Sequence, residues 1–378
     1  MSGIILAVIL RNRNTELKVL LLSKYSRQGA SSRLRSLQFL PYLKQHGISV
    51  THSALFGDRY LSQFYAERKR SSISLLRSYQ QRVSDLIKAK NYDLLWIEYE
   101  ALPYIPFMIE HCAMPHGVPY VVDYDDAVYH NYDQSSRWFV RSVLGGKIDR
   151  VMANATIVIC GNDYLASRAR DAGARNIQCI PTVVDANRYK YSDSNEYDSC
   201  EQTPIIGWIG SPSTERYILE LKDELTHAHL VCGARLLLIG ASQASSNCFH
   251  NIPVEVRPWS EDTEAEGIAD IDIGIMPLPD GPWERGKCGY KLIQYMASGK
   301  PVIASPVGVN QKIVADWNCG LLAAGRAEWR RALEELASDF GLRQRMGRNG
   351  RAAVEQHYSL EVQAPHLIET LRAAAASG

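Results

Sequence analysis

The sequence predicts an α/β protein made of two doubly wound parallel-sheet domains that face a cleft and end in a helical tail. Three observations carry that prediction. At 378 residues the chain exceeds what one hydrophobic core usually serves, so two domains are expected. Short apolar runs alternate with helical patterns, as in parallel strands joined by crossover helices. That rhythm is interrupted by NRYKYSDSNEYDSCEQTP (187–204), a polar stretch with no apolar period, and then starts again.

In the first series the strands are KVLLLS (18–23), YDLLWIEY (92–99), VPYVVDY (118–124), ATIVICG (155–161) and NIQCIP (176–181). Between the first two, SSRLRSLQFLPYLKQHG and SISLLRSYQQRVSDLIKAK return apolar residues every three or four positions, as helices laid on a sheet do. The second series is PIIGWIG (204–210), RLLLIG (235–240), PVEVRPW (253–259), IDIGIMPL (271–278), PVIAS (301–305) and CGLLA (319–323). From Glu328 to Ala375 the pattern is helical. The expected domains are 1–190 and 205–357, joined by a linker over 191–204, with 358–378 as a terminal helix packing back toward the first domain.

Composition narrows the classes. With 46% hydrophobic residues, 22% charged residues and a net charge of +1, the chain lacks the signature of disorder and the basic surface of a nucleic-acid binder. Its eight cysteines are scattered, with no CxxC pair, which fits free thiols in a reducing, cytosolic compartment. The N-terminal run GIILAVIL has no basic residue before it and is too short to span a bilayer, so it reads as a disordered extension, an extra edge strand or a weak membrane contact.

The stretch GKCGYKLIQYMASGKPVIASPVGVN (286–310) carries the chemistry. A helix beginning near Gly289 presents unpaired N–H groups and the positive end of its dipole, and a glycine there lets an anion approach the main chain. Lys287 and Lys291 flank that glycine, so a diphosphate is the natural guest. The alternative is that both lysines are solvated surface residues.

GYKLIQYMASGKPVIAS resembles the donor-binding segment of family 4 glycosyltransferases, nucleotide-sugar-dependent enzymes of the two-Rossmann GT-B fold. GASSRLRSLQFLPYL (29–43), AGARNIQCIPTVVDANRY (172–189) and PIIGWIGSPST are similar to further family segments in the same order, so the likeness extends from about Lys18 onward. The family places two glutamates with seven residues between them, and here those positions are Gly286 and Gln294. The resemblance implies that Gln294 bonds the donor ribose; the first acid is missing, and neighbouring Glu284 or Asp280 is the candidate to substitute for it. It carries the phosphate cradle onto Gly289, Tyr290 and Lys291. Gly210 and Ser211 occupy the loop after the first strand of the second domain, where the family's basic pair is replaced by Ser211-Pro212-Ser213-Thr214 with Arg216 close by. Lys287 and Lys291 then supply the positive charge. Gly29, Ala30, Ser31 and Arg33 would close the phosphate site from the first domain, unless Arg33 is a helix-surface residue.

RPWSED (257–262) follows the strand after which relatives hold the nucleobase. Trp259 would stack on or border the base and Arg257 would reach the diphosphate or the base edge; otherwise they are a core tryptophan and a surface arginine. For VVDYDDAVYH (121–130) three readings stand. Asp123 and Asp125 form a D-x-D string, which in single-domain glycosyltransferases holds a divalent ion. Asp125 or Asp126, with His130 nearby, orients the acceptor hydroxyl or the transferred sugar. Or one of them caps the next helix. An inverting transfer would use Asp125 or Asp126 as base, whereas the resemblance implies retention, with the leaving diphosphate taking the acceptor proton and Lys291 stabilising its departure.

The expected function is hexosyl transfer from a nucleotide diphosphate sugar to a glycan or lipid-linked acceptor, in bacterial O-antigen, capsule or exopolysaccharide assembly at the inner membrane face. No metal, cofactor or nucleic acid is expected beyond the co-substrate. A nucleotide-sugar epimerase or hydrolase of the same fold, or a non-catalytic two-domain sugar-binding protein, is the alternative.

Overall fold

The computed structural model describes residues 16–58, 72–191 and 203–378. The N-terminal apolar run and nearly all of the expected linker lie outside the described residues. The chain divides into two compact units, Met1–Ile180 with Ala364–Gly378, and Pro181–Gln363.

The first unit is built on a parallel six-stranded sheet in the order β2-β1-β3-β4-β5-β6. Its strands are β1 (Leu17–Tyr25), β2 (Ile48–Phe56), β3 (Leu94–Glu98), β4 (Tyr120–Tyr124), β5 (Ile157–Cys160) and β6 (Ile177–Cys179). β3, β4 and β5 are buried along their whole lengths, as strands covered by helices on both faces must be. β2 is absent from the strands read off the sequence. It lies at the sheet edge and mixes Thr51, His52 and Ser53 into its run, so it lacks the continuous apolar signal of the inner strands. Helices α1 (Ala30–Arg35), α2 (Leu40–Gln45), α3 (Ser72–Lys88), α4 (Phe107–Ala113), α5 (His130–Asp133), α6 (Trp138–Leu144), α7 (Lys147–Asn154) and α8 (Asp163–Asp171) connect the strands.

The second unit repeats the plan with β7 (Ile205–Ile209), β8 (Arg235–Ile239), β9 (Val254–Arg257), β10 (Ile273–Met276), β11 (Val302–Ala304) and β12 (Gly320–Leu322). All six strands predicted for this half are present, in the order β12-β11-β10-β7-β8-β9. The order reverses between β7 and β10, and α/β sheets bind ligands beyond the carboxyl ends of the strands at such a point. Helices α9 (Arg216–Leu219), α10 (Lys222–Cys232), α11 (Gln243–Ser246), α12 (Glu264–Ala269), α13 (Pro282–Arg285), α14 (Tyr290–Ala297) and α15 (Val309–Trp317) lie between strands. The tail is helical as predicted, with α16 (Arg326–Ser338), α17 (Phe340–Ala353) and α18 (Leu360–Ala375).

Tyr295 fixes α14 over the point of reversal. It is fully buried, its hydroxyl accepts from the Ile209 amide at 3.0 Å and donates to the Ile275 carbonyl at 3.3 Å. Gly274 makes room for it, since a Cβ there would lie 2.2 Å from the Tyr295 ring. The start of α14 is thereby held beside the end of β7.

Candidate active site

Gly289 is the N-cap of α14 and has φ +67, a left-handed conformation that favours glycine. A side chain there would also collide, because its Cβ would come within 2.8 Å of Ile313 Cδ1. The helix start is therefore bare main chain, with Tyr290 and Lys291 as its first two residues.

Lys291 places its ammonium 4.4 Å from the centroid of the Trp208 ring. Trp208 is fully buried in β7 and its indole N–H has no acceptor among the described residues. The same ammonium closes over Gly210, where an added Cβ would lie 2.9 Å from Nζ. Burial first, and the charge of Lys287 second, push the Lys291 ammonium down to about 7. An ammonium held at a cation–π contact, beside a second lysine and with no carboxylate pairing it among the described residues, is a place prepared for an anion.

The neighbouring loops come together around this point. Gly210 donates to the Ile239 carbonyl at 2.9 Å, and Gly240, at φ +78, would meet the Gly210 oxygen at 2.2 Å and Trp259 Cβ at 3.0 Å if it had a side chain. The Ser211 hydroxyl lies 2.8 Å from that of Ser213, within a turn closed by Thr214. Trp259 is about one-third exposed, at 36%, and its indole N–H donates to Glu264 at 3.0 Å. It is neither a core residue nor loose on the surface.

Arg257 is placed differently from the expectation. Its guanidinium donates to Glu255 at 2.6 Å and to Asp270 at 2.5 Å, and these two carboxylates raise its pKa further. Its charge is already matched, so it is not an open phosphate ligand. Gln294 is 2% exposed, and its amide nitrogen donates to the Tyr189 hydroxyl at 3.2 Å. Tyr189 in turn faces Glu264 at 3.5 Å, so a chain of polar groups runs from Gln294 to Trp259. Tyr189, Trp208 and Glu264 are not singled out by the sequence; the tryptophan two residues before Gly210 was the one visible signal. Of the two acids offered as substitutes, Glu284 is buried and accepts from the Tyr217 hydroxyl at 2.6 Å, whereas Asp280 is exposed and paired with Arg285 at 2.6 Å.

In the first unit, Gly29, Ala30 and Ser31 line a cavity of about 890 Å³ at the carboxyl ends of β1 and β3. Arg33 is 4% exposed and donates to the Arg27 carbonyl at 3.1 Å, inside its own loop. It is therefore not the surface residue of the alternative reading, and its guanidinium is turned inward. Asp123 forms a buried ion pair with Arg35, Nε at 2.9 Å and Nη2 at 2.8 Å, and burial outweighs that partner in pushing its carboxyl up to about 6. Asp125 accepts from the Tyr99 hydroxyl. The D-x-D string thus has its first member committed to an arginine. Neither aspartate caps the helix that follows, whose N-cap is Tyr129 without a side-chain bond. His130 has Nδ1 2.8 Å from Asp133 and Nε2 3.4 Å from the Tyr164 hydroxyl, so both ring nitrogens are engaged. A further cavity, of about 570 Å³, is lined by Tyr217, Leu278 and Arg326 in the second unit and by none of the donor residues named from the sequence.

Residues 203–339 match the sequence family described as "Glycosyl transferases group 1". No curated protein sequence matches the chain. Among solved structures, sucrose-phosphate synthase from Thermosynechococcus elongatus is similar with a TM-score of 0.71 at 16% identity, covering 96% of this chain and 100% of the other. HepE from Anabaena, solved in complex with UDP-glucose, gives a TM-score of 0.64 at 18% identity over 94% of this chain and 99% of its own. WaaG, a glycosyltransferase involved in lipopolysaccharide biosynthesis, gives 0.67 at 14% identity, again over 94% and 99%. At these identities the structural likeness speaks to the fold.

Proposed function

We propose that this chain, which matches the glycosyl transferases group 1 family over residues 203–339 and has the GT-B fold, is a glycosyltransferase that moves a sugar from a nucleoside diphosphate donor seated at the start of α14. The observation that carries the reading is the Lys291 ammonium, 4.4 Å from Trp208, with its charge unmatched by any described carboxylate. A diphosphate supplies that charge. Its oxygens take hydrogen bonds from the first amides of α14, where Gly289 keeps the main chain open, and from Lys287 and Lys291.

Trp259 borders the base, and uridine is the first base to test because HepE was solved with UDP-glucose. The Gln294 carbonyl oxygen faces the ribose, a weaker acceptor than a carboxylate would be. Transfer proceeds with retention. The departing diphosphate takes the acceptor proton, while Lys291 and Lys287 stabilise the charge that grows on it as the sugar bond breaks. Asp125 and Asp126 orient the acceptor and do not deprotonate it.

The acceptor is a glycan or lipid-linked glycan of surface polysaccharide assembly. No helix among the described residues is long and apolar enough to cross a membrane. Exposed apolar side chains on α3 (Ile73, Leu76, Ile87) and α6 (Trp138, Phe139, Val143) support contact with a membrane surface instead.

The test is a melting-temperature screen across nucleoside diphosphates and nucleotide sugars, followed by assay of nucleoside diphosphate release with chelator present. A shift with at least one diphosphate, and slow release from the matching sugar nucleotide, are expected. No shift with any of them, or a shift that survives in Lys291→Ala, sinks the assignment.

A further inference from the structure

Gln294 follows Lys291 by three residues, so the two side chains share a face of α14. Its amide is buried, at 2% exposure, and donates its N–H to the Tyr189 hydroxyl at 3.2 Å. The carbonyl oxygen takes no hydrogen bond from the described residues. A planar amide carries two donors at one end and an acceptor at the other, and the two ends have nearly the same shape. Which of them is turned to a ligand is therefore decided by the neighbours.

Tyr189 is the neighbour that decides. It is buried, and its oxygen is bonded by the side chains of Gln294 and Tyr290. Burial first, and the Glu264 charge second, raise the pKa of this phenol, whereas the bonds from Gln294 and Tyr290 pull it down, as donors to its oxygen do. With its oxygen filled by donors, Tyr189 has its own proton left to place. The acceptor is Glu264, whose Oε1 lies 3.5 Å from the hydroxyl. That contact is long, but its direction is set by chemistry, because an ionised carboxylate only accepts.

Glu264 is held in its turn. It is the first residue of α12, is 2% exposed, and its amide donates to the Ser260 carbonyl at 3.1 Å. Oε2 accepts from the Trp259 indole at 3.0 Å, and Arg188 Nη1 stands 3.6 Å from Oε1. Donors thus meet both carboxylate oxygens. The bonds run in one sense, from Gln294 to Tyr189 to Glu264, and they leave the Gln294 carbonyl as the open end of its amide. One acid thereby governs both the residue assigned to the ribose and the residue assigned to the base.

We infer that Glu264 is a positioning residue of the donor site: through Tyr189 it turns the Gln294 amide so that the carbonyl oxygen accepts from a ribose hydroxyl of the nucleotide. The inference rests on the transferase reading above and adds to it the group that sets the polarity of the ribose contact. Glu264 acts through Gln294, and the same carboxylate keeps the Trp259 indole in place. The ribose must then give a proton to the protein, which makes its hydroxyl a requirement and not only a tolerated group.

Calorimetry on the full chain tests it, with uridine, guanosine and adenosine diphosphates each set against the 2′-deoxy-2′-fluoro and 3′-deoxy-3′-fluoro forms. Fluorine keeps the place of the hydroxyl and has no proton to give, so it reads which end of the amide is presented. For the diphosphate that binds, at least one fluoro form should bind the wild type about fivefold more weakly than the parent. Glu264→Gln keeps the shape; with its carbonyl on the Trp259 N–H, its own amide donates to Tyr189, whose proton turns to Gln294. The preference for the hydroxyl should then fall to about twofold or less. Tyr189→Phe cuts the same relay and should lower the preference likewise, which guards against a folding defect in either variant. Adding Gln294→Glu to Glu264→Gln should restore it, because a carboxylate is an acceptor at both ends. Equal binding of parent and fluoro forms by the wild type, an unchanged preference in the two variants, or an even loss of affinity for parent and fluoro forms alike overturns the inference and leaves the donor site standing. No binding of any nucleoside diphosphate by the wild type removes the donor assignment, and this inference with it.

Discussion

Lys291 Nζ stands 4.4 Å from the centre of the Trp208 ring, so the second residue of α14 reaches across to the last residues of β7. The contact ties the helix start to the strand end at the point where the sheet reverses, and it holds a positive charge there that no acid among the described residues neutralises.

Replacing that charge is the direct check. Lys291→Met keeps the packing on Trp208 and removes the ammonium. A charged hydrogen bond contributes about 1.5–3 kcal/mol, so nucleoside diphosphate affinity should fall roughly 10- to 100-fold by calorimetry. An unchanged Kd would place the diphosphate elsewhere.

The lowered pKa gives that binding a pH dependence. In the free protein Lys291 loses its proton near pH 7, against 10.5 when unfolded. A bound diphosphate favours the charged form and raises that pKa, so binding takes up a proton and weakens as pH rises above about 7. Calorimetry in two buffers of different ionisation enthalpy should report proton uptake at pH 8. The stability sign is opposite. The penalty for burying the charge is full below pH 7 and fades as pH rises toward 10.5, so the stability advantage of Lys291→Met should shrink over that window.

Gly289→Ala tests the backbone. At φ +67 a Cβ costs about 1–2 kcal/mol, and here it also meets Ile313. Urea unfolding should show at least that loss. The nucleoside diphosphate shift should fall with it, because the new methyl crowds the helix start. Wild-type affinity in this variant would separate the anion from the main chain.

Two acids of the first unit should shape its pH stability. Burial raises Glu98 to about 7 from 4.5, and Asp123 to about 6 from 3.8. For acids raised on folding, the associated stability is complete below the unfolded pKa and is lost as pH climbs through the folded one. Between pH 5 and 8, Glu98→Gln should therefore gain stability relative to the wild type in urea titrations. A constant difference across that range would mean that Glu98 is already ionised.

The Arg35–Asp123 pair predicts a larger effect. Both side chains are at least 96% buried, so removing one leaves a charge in the interior; Arg35→Met should destabilise the first unit by about 3–5 kcal/mol. A change under 1 kcal/mol, on the scale of an exposed pair, would contradict the burial.

Much of this could be read in the chain. Strands buried on both faces announce themselves as apolar runs, and β1, β3, β4, β5, β7, β8, β10 and β11 were legible for that reason, while the less buried edge strands β6, β9 and β12 were read as short apolar runs between helices. The edge strand β2 was not, because most of its residues are only partly buried and its pattern dissolves into Thr51, His52 and Ser53. Gly289, Lys287 and Lys291 were visible because a helix start is a local matter of sequence.

Partnership was not local. Whether Asp123 pairs with Arg35, whether Gln294 meets Tyr189, and which buried acid lacks a bond depend on residues that meet only after folding. The order of residues thus determined two parallel α/β sheets and a cationic helix start, since periodicity and backbone freedom act over a few positions. The tertiary structure alone decided which charges are satisfied, because hydrogen bonds and desolvation act between chain segments that are neighbours in space and strangers in sequence.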